Sequence, residues 1–200
     1  GNGALAALGI PLPAELQQGT NVVLIHSQSV FGQARYKITP QLELAAGVRW
    51  TDETRKLIPT LQYQAGVDPS QYGLVRKPKP SINSKKASPE ITLTYKPTDD
   101  MTLFASYKQG NKSGSYAIGT PPVADFDNSF KDETVKGGEV GLKSRWLDRS
   151  LSFDLSGYYY KYSNLQVGAS IPVEGAIPVT TIVNAGRATV KGIEAEIVYA

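Results

Sequence analysis

The most regular feature of the chain is an alternation of apolar and polar residues with a period of two, which recurs from about residue 20 to the C-terminus. In segment 41–51, the apolar positions are Leu42, Leu44, Ala46, Val48 and Trp50. Similar runs occupy 90–96, 102–108, 139–146, 151–156 and 193–199, with Phe104 as an exception, and a less regular run covers 20–37. Because successive side chains of a strand point to opposite faces, the pattern predicts about seven two-faced strands.

The connections between these strands alternate in length. Segments 38–40, 97–100 and 147–149 are tight and rich in Pro, Asp and Thr, which are turn-forming residues. Segments 60–86, 113–132 and 168–179 are long and rich in Gly, Pro and Ser. In an up-and-down antiparallel sheet, all tight turns then lie at one end and all long loops at the other. Bacterial outer-membrane barrels have this asymmetry, with short periplasmic turns and long extracellular loops.

Alternation alone fits two architectures, a soluble sheet with its apolar face inward and a membrane barrel with its apolar face outward. The loop asymmetry and strands longer than the usual five or six residues favour the membrane barrel. Five aromatic residues next to tight turns or at strand ends would form its interfacial girdle, or else would be ordinary core aromatics. They are Tyr36, Trp50, Tyr95, Trp146 and Tyr199. The predicted fold class is all-β, an antiparallel up-and-down transmembrane β-barrel.

Composition narrows the function classes. The chain has no cysteine, which excludes disulfides and thiolate metal sites. Its formal net charge is +3, with basic residues mostly interleaved with acidic ones, so nothing points to nucleic acid as a partner. Eleven Tyr stand against five Phe and two Trp. A tyrosine excess suits surfaces where hydrocarbon meets water, because the ring is apolar and the hydroxyl polar.

Several segments resemble barrel strands of TonB-dependent receptors, the outer-membrane transporters of Gram-negative bacteria. Residues 88–100, SPEITLTYKPTDD, resemble a strand and periplasmic turn of that family, and residues 133–144, ETVKGGEVGLKS, resemble another strand. Segments 158–167, 184–188 and 192–196 add further matches in the same order. Residues 110–114 match only in part, since Asn111 and Ser115 replace the family's usual Phe and Gly. The resemblance covers about residues 28–200.

The resemblance implies a barrel of about 22 strands in the bacterial outer membrane, of which this chain holds about seven. It implies uptake of a scarce nutrient, above all an iron-siderophore chelate, with energy from the TonB complex of the inner membrane. The expected partners are the receptor's own plug domain, that TonB complex, lipopolysaccharide and outer-membrane lipid, and the small-molecule chelate. We expect residues 1–19 to end an extracellular loop and residues 20–200 to form part of the barrel, without the plug. A seven-strand sheet alone would leave two unpaired edges in lipid, so the chain is predicted to be part of a larger barrel.

The candidate ligand-binding residues lie on the predicted extracellular loops. A basic run of Arg76, Lys77, Lys79, Lys85 and Lys86 has no acidic residue between Asp68 and Glu90. It would attract an anionic chelate or lipopolysaccharide phosphates, or else form a solvated loop. Arg76, Lys77, Lys79, Lys112 and Tyr116 are the predicted ligand contacts. The next loop is acidic at Asp125, Asp127, Asp132 and Glu133, but it lacks the spacing of an EF-hand calcium loop, so no metal site or cofactor is predicted.

Two other functions stay open at this point. A non-energised porin-like channel or an adhesin would use similar strands. A barrel enzyme would need a catalytic constellation, but the chain has one histidine, His26, and no G-x-S-x-G nucleophile motif. Glu194 and Glu196 share a strand face, where acid–base chemistry is conceivable and lining of a polar lumen is the expected role. The sequence therefore predicts a receptor and not an enzyme.

Overall fold

The computed structural model describes residues 18–62, 81–118, 128–171 and 179–200, which form β-strands joined by turns. The strands are β1 (Gln18–Lys37), β2 (Leu42–Gln62), β3 (Ser81–Thr98), β4 (Met101–Lys112), β5 (Ser115–Tyr116), β6 (Ser129–Phe130), β7 (Glu133–Trp146), β8 (Leu151–Ser163), β9 (Gln166–Ile171), β10 (Val179–Asn184) and β11 (Arg187–Tyr199). Seven of them form one antiparallel sheet in the order β1-β2-β3-β4-β7-β8-β11. The prediction of an all-β, up-and-down antiparallel wall is confirmed. We call this sheet the wall.

No helix in the described part of the chain is long and apolar enough to cross a membrane.

The long connections are shorter than the sequence predicts. β2 continues to Gln62 and β3 begins at Ser81, so residues 60–62 and 81–86 belong to strands and not to a loop. These extensions lack apolar alternation, but backbone pairing such as Lys56 with Ser81 needs none. Segment 113–132 contains the β5–β6 hairpin, and segment 168–179 carries parts of the β9–β10 hairpin. Residues 1–17, 63–80, 119–127 and 172–178 lie outside the described part.

The strand register assembles one continuous apolar face. In antiparallel pairs, directly opposed residues lie on the same face of a sheet. One such row crosses all seven strands of the wall through Tyr36, Leu44, Leu93, Ala105, Val140, Gly157 and Ile193. These side chains have no covering layer, and Val140 is 61% exposed. A wide uncovered apolar face of this kind fits a lipid environment, and we call it the outer face.

Aromatic residues limit the apolar stretch of the outer face at both ends. On β8 the stretch runs for nine residues from Leu151 to Tyr159, within the length that a tilted strand needs to cross the hydrocarbon core. Tyr36, Tyr95, Trp146 and Tyr199 lie at the turn end, as predicted. The prediction for Trp50 is wrong, because Trp50 lies in the middle of β2 and not at its end. β2 continues beyond it with the outer residues Asp52, Thr54 and Lys56. The register places Trp50 opposite Ala87, whereas Tyr107 and Tyr159 both oppose Gly138, so the loop-end aromatic residues lie in different rows.

Side-chain contacts reinforce the tight turns. In the β1–β2 turn, the Thr39 hydroxyl accepts a hydrogen bond of 3.0 Å from the Leu42 amide. In the β7–β8 turn, Leu147, Asp148 and Arg149 all have positive φ angles, which give the chain its sharp reversal. Arg149 then donates to Asp100 over 2.9 Å and links this turn to the β3–β4 turn beside it. The turn end of the wall is therefore cross-linked by polar groups.

Candidate functional site at the mouth of the inner face

The opposite, inner face of the wall carries most of its charged side chains, together with some aliphatic and aromatic ones such as Phe31 and Phe104. Near the loop end it carries Arg49, Glu53 and Arg55 from β2, with Ser84 and Lys86 from the adjacent part of β3. Glu53 and Arg55 form an ion pair of 2.7 Å, and their side chains are only 14% and 22% exposed. In a barrel this face lines the lumen. Shielding of charged groups here shows that something lies over the inner face.

The segment that lies over the inner face is the β5–β6 hairpin, held there by Asp132. One carboxylate oxygen of Asp132 accepts a hydrogen bond from the Ser84 hydroxyl at 2.9 Å, and the Lys86 ammonium lies 3.4 Å from the same oxygen. The other oxygen accepts the Gly114 amide at 2.8 Å. Gly114 has no room for a side chain, because an added Cβ would contact the Phe130 carbonyl. Asp132 therefore connects both arms of the hairpin to β3.

A small apolar cluster supports the same hairpin. Leu57, Tyr116, Ala117 and Phe130 are the buried apolar residues of the described part. The Tyr116 hydroxyl donates to the Arg55 backbone carbonyl over 3.4 Å, which places the ring against the inner side of β2. Asn128 is 2% exposed and its amide donates to the Ala117 carbonyl over 3.2 Å. The hairpin is thus a packed element, which we call the inner shelf (residues 113–118 and 128–132).

The β9–β10 hairpin holds the inner shelf from the other side. It continues the β8–β11 hairpin after a bend at Asn164 and Gly186, both of which have positive φ. The Asn184 side chain accepts the Lys131 amide at 2.7 Å and donates to the Lys131 carbonyl at 2.9 Å, as a strand partner would. The Gln166 side-chain amide donates to the Lys131 carbonyl at 3.0 Å and to the Ser113 carbonyl at 3.2 Å. Two polar side chains thus satisfy the backbone of the shelf, where no further strand pairs with it.

Two of the five predicted ligand contacts, Lys112 and Tyr116, lie in the described part of the chain. Lys112 is exposed at the end of β4, next to the inner shelf. Tyr116 is 4% exposed and packs inside the shelf. Arg76, Lys77 and Lys79 lie outside the described residues. Lys112 and Tyr116 therefore both lie at the loop end of the inner face, which we call its mouth.

The rest of the basic run meets acidic partners that the sequence order conceals. Lys85 points to the outer face and pairs with Asp52 at 3.0 Å, whereas Lys86 points inward to Asp132. Both acids come from other strands, so the absence of acidic residues between Asp68 and Glu90 does not leave these two lysines unpaired. Asp132 belongs to the acidic loop for which the sequence predicts no metal site, and Asp125 and Asp127 of that loop lie outside the described residues. Its contacts here are those of a structural anchor.

The remaining candidates show no catalytic arrangement. His26 is exposed on the outer side of β1, and its ring nitrogen lies 3.0 Å from the Gln28 amide. Glu194 and Glu196 lie on the inner face of β11, where Glu196 opposes Asp154. Asp154 in turn pairs with Lys143 at 3.5 Å. Within the described residues, no group of three or more acidic or histidine side chains is placed to hold a metal ion.

The sequence did not predict the structural role of the polar residues that hold the inner shelf. They are Ser84, Asn128, Asp132, Gln166 and Asn184. Their signal is weak, since each is a polar residue near a loop and such residues are common on loops. What identifies them is long-range contact, such as the 48 positions that separate Ser84 from Asp132.

Comparison with known proteins identifies the wall. The family model described as TonB dependent receptor-like, beta-barrel matches residues 6–200. The ferric yersiniabactin uptake receptor FyuA from Yersinia pestis superposes with a TM-score of 0.64 at 17% identity, over 91% of this chain and 25% of that one. The copper transporter OprC gives 0.64 at 16% identity over 88% and 26%. The alcaligin outer membrane receptor FauA from Bordetella pertussis gives 0.55 at 20% identity over 88% and 27%.

This chain spans about a quarter of the length of these solved structures, which at such identities share its fold. The sheet is open at β1 and β11, as expected for part of a larger barrel. The family match covers nearly the whole chain, and receptors of this family are bacterial outer-membrane proteins. The chain therefore belongs to the TonB-dependent receptor family and forms a stretch of its outer-membrane β-barrel wall.

Proposed function

We propose that the chain is part of a receptor that imports a scarce nutrient, above all an iron-siderophore chelate, with energy from the inner-membrane TonB complex. The complete barrel would have about 22 strands around a plug domain. FyuA is named for ferric yersiniabactin uptake and OprC for copper transport, and a metal-containing cargo agrees with both. Residues 1–19 would end an extracellular loop, and the plug would be encoded outside residues 20–200.

The observation that carries this proposal is the anchored inner shelf. A porin keeps an open lumen, whereas here the β5–β6 hairpin turns over the inner face and is held there by Asp132, Gln166 and Asn184. A rigid element at the mouth can present polar groups to a ligand with little cost in ordering. Lys112 is exposed beside it. Arg76, Lys77 and Lys79 would add positive charge for an anionic chelate, and Tyr116 would act by supporting the shelf.

Uptake by the full-length receptor tests the function. A strain in which the receptor gene is deleted and then supplied again in full length is given a panel of ⁵⁵Fe-labelled chelates. The experiment is done with and without a functional TonB complex. We expect uptake of at least one chelate that stops without TonB, while surface binding persists. Uptake that is independent of TonB would identify a passive channel and overturn the proposal. The proposal would also be overturned if deletion of the receptor gene changed neither growth nor surface binding for any chelate or metal tested.

A matched pair of variants tests the role of the shelf. Asp132→Asn removes the charge that holds Lys86 and weakens the bonds to Ser84 and Gly114, so we expect chelate binding to weaken by about tenfold, which corresponds to ~1.4 kcal/mol. Asp154→Asn is the control, because Asp154 is also an inner-face acid paired with a lysine but lies away from the shelf. Equal binding by both variants would show that the shelf does not form the ligand site.

A further inference from the structure

The backbone pairing of the wall is interrupted between β3 and β4 toward the loop end. Within the described residues, the pairing of β3 with β4 ends at Glu90 and Lys108. Both strands continue beyond this pair, since β3 pairs with β2 as far as Ser81 and β4 pairs with β7 as far as Lys112. The upper parts of β3 and β4 are therefore each bonded to their other neighbour but not to one another by a backbone ladder. We call the line between them the seam.

The seam begins at Pro89, the next residue of β3. The Lys96 amide donates to the Gln41 carbonyl, so the even-numbered residues of β3 bond toward β2 and the odd-numbered ones toward β4. Pro89 therefore occupies a position whose backbone N–H would bond β4, and proline has no N–H. By the same alternation, the missing N–H of Pro59 on β2 faces away from β1, and the β1–β2 ladder continues past it to Gln62. The absent donor thus explains why pairing stops at one proline and not at the other.

Side chains bridge the seam where the ladder is missing. The side-chain amides of Gln109 and Asn111 both donate to the Ala87 carbonyl, over 3.2 and 3.0 Å. The Asn111 amide also donates to the Ser88 hydroxyl over 3.1 Å, and its oxygen accepts the Thr134 hydroxyl at 3.0 Å. The bond from Thr134 fixes the Asn111 amide with its nitrogen toward β3. We call Gln109 and Asn111 the amide latch.

The inner shelf crosses the seam on its inner side. Its two arms are continuous with β4 and β7, but Asp132 accepts the Ser84 hydroxyl and pairs with Lys86, both of which belong to β3. The Tyr116 hydroxyl reaches the Arg55 carbonyl of β2. These links across the seam run through side chains, whereas β3 and β4 are joined by a backbone ladder nearer the turn end. Isolated side-chain bonds open at a lower free energy than a continuous ladder does.

An open cavity lies over the foot of the seam. It has a volume of about 640 Å³ and is lined by residues 88–90 on the β3 side and residues 108–110 on the β4 side. Because close-packed groups resist displacement, empty space at this point lets the two strands shift with little loss of packing.

We propose that the wall opens along the seam, so that upper β4 moves away from upper β3 together with the inner shelf, and the mouth of the inner face widens. The amide latch and Asp132 hold the closed state. Pro89 prevents the ladder from extending and sealing the seam, and the Glu90–Lys108 pair, where the ladder begins, is the hinge. The opening belongs to the wall itself and does not depend on the identity of the cargo.

Distances between pairs of spin labels in the full-length receptor, measured in phosphatidylcholine nanodiscs, test the opening. This chain has no cysteine, so introduced cysteines label it specifically. Val30→Cys and Lys136→Cys place labels at exposed positions on the two sides of the seam. Ala34→Cys and Val140→Cys use the same two strands nearer the turn end and are the matched reference. We expect a second population in the upper pair, longer by one strand spacing, about 4.8 Å, and one narrow population in the lower pair.

Substitutions at the seam should shift the two populations in opposite directions. Gln109→Ala combined with Asn111→Ala removes the amide latch and should raise the open-to-closed ratio about fivefold or more, as expected for the loss of at least one hydrogen bond. Pro89→Ala supplies the N–H that the Gln109 carbonyl can accept, so the ratio should fall about fivefold. Pro59→Ala is the matched control and should leave the ratio unchanged, because the β1–β2 ladder already passes that residue.

Three results would contradict the proposal. One narrow distance in the upper pair, both in the parent and after loss of the amide latch, would show that the wall does not open. An equal shift of the lower pair would mean that the whole sheet loosens and that the seam has no special role. Equal effects of Pro89→Ala and Pro59→Ala would show that the missing N–H at the seam does not control the opening. An unchanged lower-pair distance in each variant shows that the barrel has folded.

Discussion

Glycines on the two faces of the wall have opposite surroundings. On the inner face, Gly137, Gly141 and Gly192 are each covered by an aromatic ring from a neighbouring strand, namely Tyr160, Phe104 and Tyr158. On the outer face, Gly32 has open space above it, and a Cβ added at Gly157 would come no nearer than 3.9 Å to the Gly192 carbonyl. Gly138 is the exception on that face, because its Cβ would meet the Ser106 carbonyl at 2.6 Å. Phe104, which breaks the apolar alternation of β4, takes part in one of these inner contacts. The same residue type therefore permits tight packing toward the lumen and leaves a gap toward lipid.

The difference follows from the medium that each face meets. An aromatic ring that covers a glycine protects the strand backbone and packs an otherwise thin, polar face. On the lipid side, acyl chains can fill any gap, so the wall needs no side chain of its own there. The inner face is consequently specified by pairs of residues, whereas the outer face is specified by hydrophobicity alone. Four substitutions test this contrast.

The largest effect is expected from placing a charge on the outer face. Leu44→Arg should destabilise the inserted receptor by about 2–4 kcal/mol toward the middle of the membrane, because the guanidinium loses its hydration. Thr92→Arg on the inner face of the neighbouring strand is the control and should change stability by less than about 0.5 kcal/mol. Urea unfolding of the full-length receptor in phosphatidylcholine vesicles measures both. Equal effects would mean that the faces are wrongly assigned.

Glycine substitution tests the packed face against the open one. In Gly137→Ala the new Cβ would meet the backbone of Tyr159 and Tyr160, so we expect a loss of about 1–3 kcal/mol from overpacking. Gly157→Ala should change the unfolding free energy by less than about 0.5 kcal/mol. The same urea titration compares them, and a larger loss in Gly157→Ala would contradict the contrast.

Asn184→Ala tests how far the inner shelf depends on hydrogen bonds from side chains, which bond its backbone where a neighbouring strand would otherwise do so. It removes the partner of the Lys131 amide and one of the two donors to the Lys131 carbonyl, which keeps the Gln166 side chain, and we expect a local loss of about 1–2 kcal/mol. Hydrogen exchange of the Lys131 amide should accelerate in proportion. Exposed Asn83→Ala on the outer face of β3, whose bonds go to Asp52 and Thr54 and not to the shelf, provides the comparison. Unchanged exchange in Asn184→Ala would show that the shelf is held by other contacts.

The smallest effect is expected at the inner ion pair. The Lys143 and Asp154 side chains are 63% and 40% exposed, so Asp154→Asn should cost less than ~1 kcal/mol and less still at high salt. The urea midpoint at low and high salt measures this. A cost that matches Gly137→Ala would mean that charge pairs, and not ring–glycine packing, dominate the inner face.

Much of the wall could be predicted from the sequence. The period of two along Leu42–Trp50, Leu151–Tyr159 and their neighbours placed about seven strands, and the order of short and long connections placed their two ends. These signals are local, because the side chains of each strand alternate between apolar and polar according to the two faces that they occupy. The strand extensions at 60–62 and 81–86 were not predicted, because these segments lack apolar alternation. Backbone pairing between strands does not depend on the hydrophobicity of their side chains.

The contacts at the mouth of the inner face and the cross-strand pairs of the wall could not be predicted in this way. Asp132 meets Ser84 and Lys86 across 48 and 46 positions, and whether Lys136 opposes Lys161 depends on a register that one slipped residue would change. The alternation of residues determined the two-faced strands, and the order of short and long connections favoured a membrane wall over a soluble sheet. Only the tertiary structure decided which charges pair and which stay open, because contacts between distant strands are set by the register and the folding back of loops.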